Sequence, residues 1–173
     1  MDRLFEIFRK KELKKRRLTR ENTNLRTMQN NVRIGVIYAV EDDQKEIENL
    51  VGVLKSEGKK VKCLGYCSIE KKHNDMISNY LYTYFSKKDC NWYGKPSLQS
   101  IQAFTSSDFD LIYALDSKGI FPLEYATMRS MAKLKFGYRN NRFPELVDIA
   151  WAHQKMDLIQ FHNFVQNIHK NAS

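Results

Sequence analysis

The chain predicts a three-layer α/β domain with a mostly parallel sheet, and three observations carry that reading. Short β-branched runs recur along it, amphipathic helical stretches lie between them, and the first strand, helix and strand together take only about 35 residues. A βαβ unit of that length makes a right-handed crossover between parallel strands.

Met1, Leu4, Phe5 and Phe8 fall along one side of a helix, and good helix formers continue to about Arg20. Beyond Phe8 the stripe fades. Arg9, Lys10, Lys11, Lys14, Lys15, Arg16 and Arg17 project in nearly all directions, so most of this helix has no face to bury in the protein's own core. ENTNLRTMQNN, Glu21 to Asn31, is polar and rich in Asn, which suits a linker. The expected organisation is a basic N-terminal helical arm and linker over residues 1–30 and a single α/β domain over 31–173.

The domain opens with VRIGVIYAV, Val32 to Val40, a run of the kind buried on both faces of a parallel sheet. A helix from about Asp43 to Glu57 follows, with Ile47, Leu50, Val51 and Leu54 along its inner side and Gly58 at the position where a left-handed residue ends it. KKVKCLGYC is the second strand. Asp108 to Asp116, DFDLIYALD, reads as another strand, and Pro122 to Lys133 as a helix with Leu123, Ala126, Met131 and Leu134 roughly along one side. KLKFGYR and ELVDIAWA read as two further short strands, and MDLIQFHNFVQNIHK as a closing amphipathic helix. The whole is Rossmann-like. Ser68 to Ser107 lies between its halves without a settled assignment.

Composition bounds the function. The 173 residues carry a net charge of +9. Residues 1–30 hold ten Lys or Arg against four Asp or Glu, which leaves 19 against 16 for the rest, so the arm is basic and the body nearly balanced. No run approaches the ~20 apolar residues of a membrane-spanning helix, and the apolar set at the start precedes the basic run instead of following it, unlike a signal peptide. Three Cys make no disulfide framework. These features together predict a cytoplasmic protein. Cys63 and Cys67, four apart in a strand-like run, read as packed thiols and not as zinc ligands.

Ligands of open α/β sheets sit beyond the carboxyl ends of the strands. The loop expected after the first strand is EDD, Glu41 to Asp43, with no glycine-rich turn to cradle a phosphate. Asp42, Asp43 and Asp116 resemble the magnesium pocket of phosphoacceptor receiver domains, with Asp116 as acceptor. The chain departs from that family in the roughly forty residues before the Asp116 strand and in lacking a partner lysine after a later one. N-capping by Asp42 or Asp43 is an equally good account of the acidic pair. A strand ending in Asp before a helix and KFGY is similar to one half of a two-domain sugar-nucleotide glycosyltransferase, a half that would lack its donor cleft. His73, His153, His162 and His169 are scattered and read as satisfied surface histidines.

The most distinctive stretch is YFSKKDCNWYGKPS, Tyr84 to Ser97. Tyr80, Tyr82 and Tyr84 alternate as in a strand, while Ile77, Leu81 and Phe85 fit a helix. Two accounts of the stretch stand: Trp92 folds back as a lid on the sheet with its lysines solvated, or Lys87, Lys88 and Trp92 meet an anionic, stackable partner such as RNA. Lys87 and Lys88 beside Cys90 would lower the pKa of that thiol only where it is exposed, which a sequence does not show, so a reactive thiol is not part of the reading. Together with IGVIYAV, FDLIYALD and MRSMAKLKFGYR, the stretch resembles an uncharacterised family of small Bacteroidota α/β proteins with a central FSKKD-x-NW-x-G signature and a basic N-terminal segment. The resemblance implies a single cytoplasmic α/β domain and brings no activity.

The expected function is therefore a non-enzymatic, cytoplasmic RNA-binding protein, associated with the ribosome or its assembly, without DNA sequence specificity. Arg9, Lys10, Lys11, Lys14, Lys15, Arg16, Arg17, Arg20, Lys87, Lys88 and Trp92 are its expected contacts, with no catalytic, metal or cofactor site. The alternatives are a peripheral protein on an anionic membrane surface, anchored by the amphipathic basic helix, and a small metal-dependent enzyme using Asp42, Asp43 and Asp116.

Overall fold

The computed structural model describes residues 6–11, 32–69, 76–139, 143–151 and 157–171. The linker and the positions of Lys14, Lys15, Arg16, Arg17, Arg20, His73 and His153 lie outside them, as do the side chains of Asp42, Asp43 and His169. Residues 6–11 are helical. The body consists of β1 (Arg33–Ala39), α1 (Val40–Ser56), β2 (Lys60–Cys67), β3 (Tyr82–Ser86), α2 (Leu98–Thr105), β4 (Leu111–Leu115), α3 (Phe121–Arg129), β5 (Leu134–Tyr138), β6 (Ile149–Trp151) and α4 (Leu158–Asn171). All strands pair in parallel, in the order β3-β2-β1-β4-β5-β6.

Alternation along the strands divides the core in two, because successive side chains point to opposite faces. Ile34, Val36 and Tyr38 of β1 and Leu111, Tyr113 and Leu115 of β4 meet the inner sides of α1 and α4, through Leu50, Leu54, Phe161 and Val165. Ile37, Ala39, Ile112 and Ala114 face the other way, toward Ile101 and Phe104 of α2 and Phe121, Leu123 and Ala126 of α3. The continuous apolar reading of β1 and β4 follows from this burial on both faces.

Several boundaries differ from expectation for identifiable reasons. No loop follows β1: Ala39 is both the last strand residue and the N-cap of α1, without a side-chain cap bond. Glu41, Asp42 and Asp43 are the second to fourth residues of the helix itself. Neither aspartate is the cap. At the other end Gly58, with φ of +75°, donates its N–H to Lys55 O, and Lys59 N–H reaches Leu54 O, a Schellman motif at the expected glycine. Helix α3 stops at Arg129, four residues early, because Ser130 is extended, and Met131 is 77% exposed instead of packed. Lys135, buried in β5, donates to Thr127 O at 2.6 Å and so holds a carbonyl of the last turn of α3. Ser68–Ser107 is no intrusion between halves: it contains the edge strand β3 and the helix α2.

Candidate functional site

The segment after β3 is built almost entirely from its own side chains. Ser86, buried at the end of the strand, starts a 3-10 turn over Lys87–Asp89 and closes a capping box with Asp89. Asp89 Oδ2 accepts from the Ser86 amide at 2.7 Å and from its hydroxyl at 3.1 Å. Asn91 Oδ1 then accepts from the amides of Lys95, at 2.9 Å, and Tyr93, at 3.3 Å, an Asx arrangement that folds the next turn. Gly94 donates to Asn91 O with φ of +90°, a conformation that glycine adopts without strain. Cys90 and Pro96 form an isolated antiparallel bridge, and Ser97 caps α2. Ser86, Asp89, Asn91, Gly94, Pro96 and Ser97 therefore each have a local structural role.

The remaining residues of the stretch face outward or toward the N-terminal segment. Lys87 and Lys88 are exposed. Trp92 is 62% exposed, so it is no lid on the sheet; the ring that packs toward the core is Tyr93, 6.4 Å from Phe121. Lys95 Nζ lies 5.5 Å above the ring of Tyr125. A shallow, open depression of about 510 Å³ runs beside the loop, bordered by Lys88, Asn91, Lys95, Ser97 and Leu98. Cys90 is not activated by its neighbouring lysines. Burial, reinforced by the Asp89 charge, pushes its thiol up to about 12, and its Sγ lies 3.4 Å from Ser86 O.

The N-terminal segment docks on this loop. Phe8 stacks on Tyr93 with centroids 5.7 Å apart and meets Trp92 in an edge arrangement at 5.5 Å. Arg9 Nε–H donates to Tyr93 O at 2.9 Å, and its guanidinium lies 5.0 Å over Phe121. Arg9 is thus an internal anchor and not the outward cation its sequence neighbours suggest, while Lys10 and Lys11 are exposed and Lys10 pairs with Glu6 at 3.3 Å. The composition of the arm hid this, because the contact joins residues 84 apart and no periodicity announces it.

Elsewhere the expected chemistry is absorbed by structure. Asp116 accepts from the amides of Lys118, Gly119 and Ile120 at 2.9, 3.1 and 2.6 Å, which makes it the keystone of the turn into α3. Cys63 and Cys67 are buried, as packed thiols should be, and burial raises the pKa of Cys63. No group of three or more His, Cys, Asp or Glu among the described residues is arranged to hold a metal ion. His162 corrects the expectation of surface histidines: it is 2% exposed, with Nδ1 2.9 Å from the Tyr113 hydroxyl and Nε2 3.0 Å from Glu57. Only its place on the inward face of α4 signalled that burial.

Fold and loop together define a three-layer α/β protein whose parallel sheet has the Rossmann-type order, without the glycine-rich phosphate turn. The chain belongs to DUF6913, a family of unknown function, whose model matches residues 4–170. No curated protein and no solved structure matches it.

Proposed function

We propose that this is a non-enzymatic, cytoplasmic RNA-binding protein that acts on the ribosome or a precursor of it, with the FSKKD-x-NW-x-G stretch as the family's signature surface. One observation carries the reading. The segment that begins the basic run is anchored on the loop bearing Lys87, Lys88 and an exposed Trp92, so two cationic stretches far apart in sequence start from one place. Clustered cations beside a stackable ring suit single-stranded nucleic acid, whose phosphates and base faces they meet without sequence preference. Lys10, Lys11, Lys87, Lys88 and Trp92 are the proposed contacts among the described residues; Lys14, Lys15, Arg16, Arg17 and Arg20, proposed with them from the sequence, lie outside those residues. Catalysis through Asp116 gains no support, since its carboxylate is committed to three backbone amides.

A second reading, docking on an anionic membrane surface, is favoured by Ile7, 59% exposed beside the lysines. No helix among the described residues is long and apolar enough to cross a membrane, so this would be a peripheral contact. One experiment separates the two. Cosedimentation with ribosomal fractions, lost on ribonuclease treatment and falling steeply with salt as counterions are displaced, is the expected outcome. Lys87→Glu with Lys88→Glu should weaken it while changing stability by no more than about 0.5 kcal/mol per site. Ribonuclease-resistant binding to anionic liposomes, abolished by Ile7→Ser, would establish the membrane reading instead.

A further inference from the structure

The contact between the N-terminal segment and the signature loop has the features of a binding site in its own right. Its floor is Phe121 at the start of α3, its wall is Tyr93, and the backbone carbonyl of Tyr93 faces inward as an acceptor. Its shape depends on Asn91, which holds the turn, and on Gly94, where a Cβ would stand 3.3 Å from an Arg9 nitrogen. The geometry points to a receptor for an aromatic–arginine pair, occupied by the chain's own Phe8–Arg9. The chemistry is specific to that pair. Arginine offers a planar group that covers an aromatic face while its Nε–H donates at the edge, which a lysine ammonium cannot reproduce. Phe8 adds a ring stacked on the outer face of Tyr93. Arg9 is half-buried and Phe8, 38% exposed, is covered on the side of Tyr93, whereas Ile7, Lys10 and Lys11 are exposed. The site lies beside the carboxyl ends of the strands, where sheets of this order receive ligands, and Phe121 opens the helix that follows β4. The chain thus supplies an occupant from its own N-terminal stretch.

This inference does not depend on RNA binding and is tested without a partner. Amide hydrogen exchange of Tyr93, Gly94 and Lys95 would be measured in the full-length chain and in Phe8→Ala, Arg9→Ala, Arg9→Lys and Lys10→Ala variants, with the melting temperature as a control of folding. Phe8→Ala, Arg9→Ala and Arg9→Lys should each speed exchange at these amides roughly tenfold while the body stays folded. Lys10→Ala should not. The proposal is overturned if Arg9→Lys protects as well as arginine, since charge alone would then suffice, or if no variant changes exchange. It is also overturned if protection in the native chain falls on dilution, which would make the occupant a second copy.

Discussion

The buried histidine fixes its own protonation pattern through its neighbours. The Glu57 carboxylate can only accept, which assigns a proton to His162 Nε2 at 3.0 Å; in that tautomer Nδ1 accepts at 2.9 Å from the Tyr113 hydroxyl, a phenol that burial keeps protonated. The Gln166 amide nitrogen, 2.8 Å from the same carboxylate oxygen, also donates there; its 2.9 Å approach to His162 Nε2 sets two donors side by side, each serving Glu57. One chain of hydrogen bonds thus joins β4, the end of α1 and α4. Tyr113→Phe removes the donor to a buried ring nitrogen that water cannot reach, and an unpaired buried acceptor costs about 1–3 kcal/mol. A urea titration should show a loss in that range. An unchanged midpoint would mean that the Tyr113 hydroxyl does not satisfy the imidazole.

At the scale of elements, the edge of the sheet is the part that sequence reading understood least. Buried strands announce themselves by continuous β-branched runs, as β1 and β4 do, because both faces are covered. Strand β3 has only half-buried tyrosines on one face, and Ile77, Leu81 and Phe85 match a helical spacing equally well, so the pattern does not choose. Its neighbours decide instead. Cys63 N–H donates to Leu81 O, and by alternation Tyr82, Tyr84 and Ser86 turn their N–H groups away from β2. Asn79 Oδ1, Ser78 Oγ and Asp89 Oδ2 accept from these three at 2.9, 3.0 and 2.7 Å. Side chains before and after the strand therefore occupy the positions that a strand from another molecule would use, which is how edge strands avoid pairing with one another. Replacing both Ser78 and Asn79 by Ala should promote concentration-dependent self-association, read by light scattering at constant helix and strand content. A variant as monodisperse as the native protein would show that the edge is protected by something else.

For the whole molecule, fold class and strand direction were legible in the alternation of apolar runs, whereas the docking of Phe8 and Arg9 was not, because composition reports that the arm is basic without reporting where it attaches. The opposite end of the sheet shows how charge closes the domain. Asp110, at the start of β4, accepts from the Arg33 amide of β1 at 2.9 Å and from Lys133, just before β5, at 2.8 Å, so one carboxylate ties the starts of three adjacent central strands. Burial alone would push its pKa up, but the Arg33 amide, the Lys133 ammonium and the Arg33 guanidinium together outweigh burial and hold it below the ordinary value. A carboxyl whose folded pKa is depressed contributes stability that is present above its unfolded pKa and lost as pH falls through the folded one. The acid limb of the stability curve, below about pH 4, should therefore be shallower in Asp110→Asn than in the native chain, with the two curves converging at the lowest pH at which both still fold. Arg33 and Lys133 side chains are 42% and 47% exposed, so added salt should screen their share while leaving the amide hydrogen bond intact. Parallel curves for the two proteins between pH 2 and 6 would mean that Asp110 is no more stabilised in the folded state than in the unfolded chain.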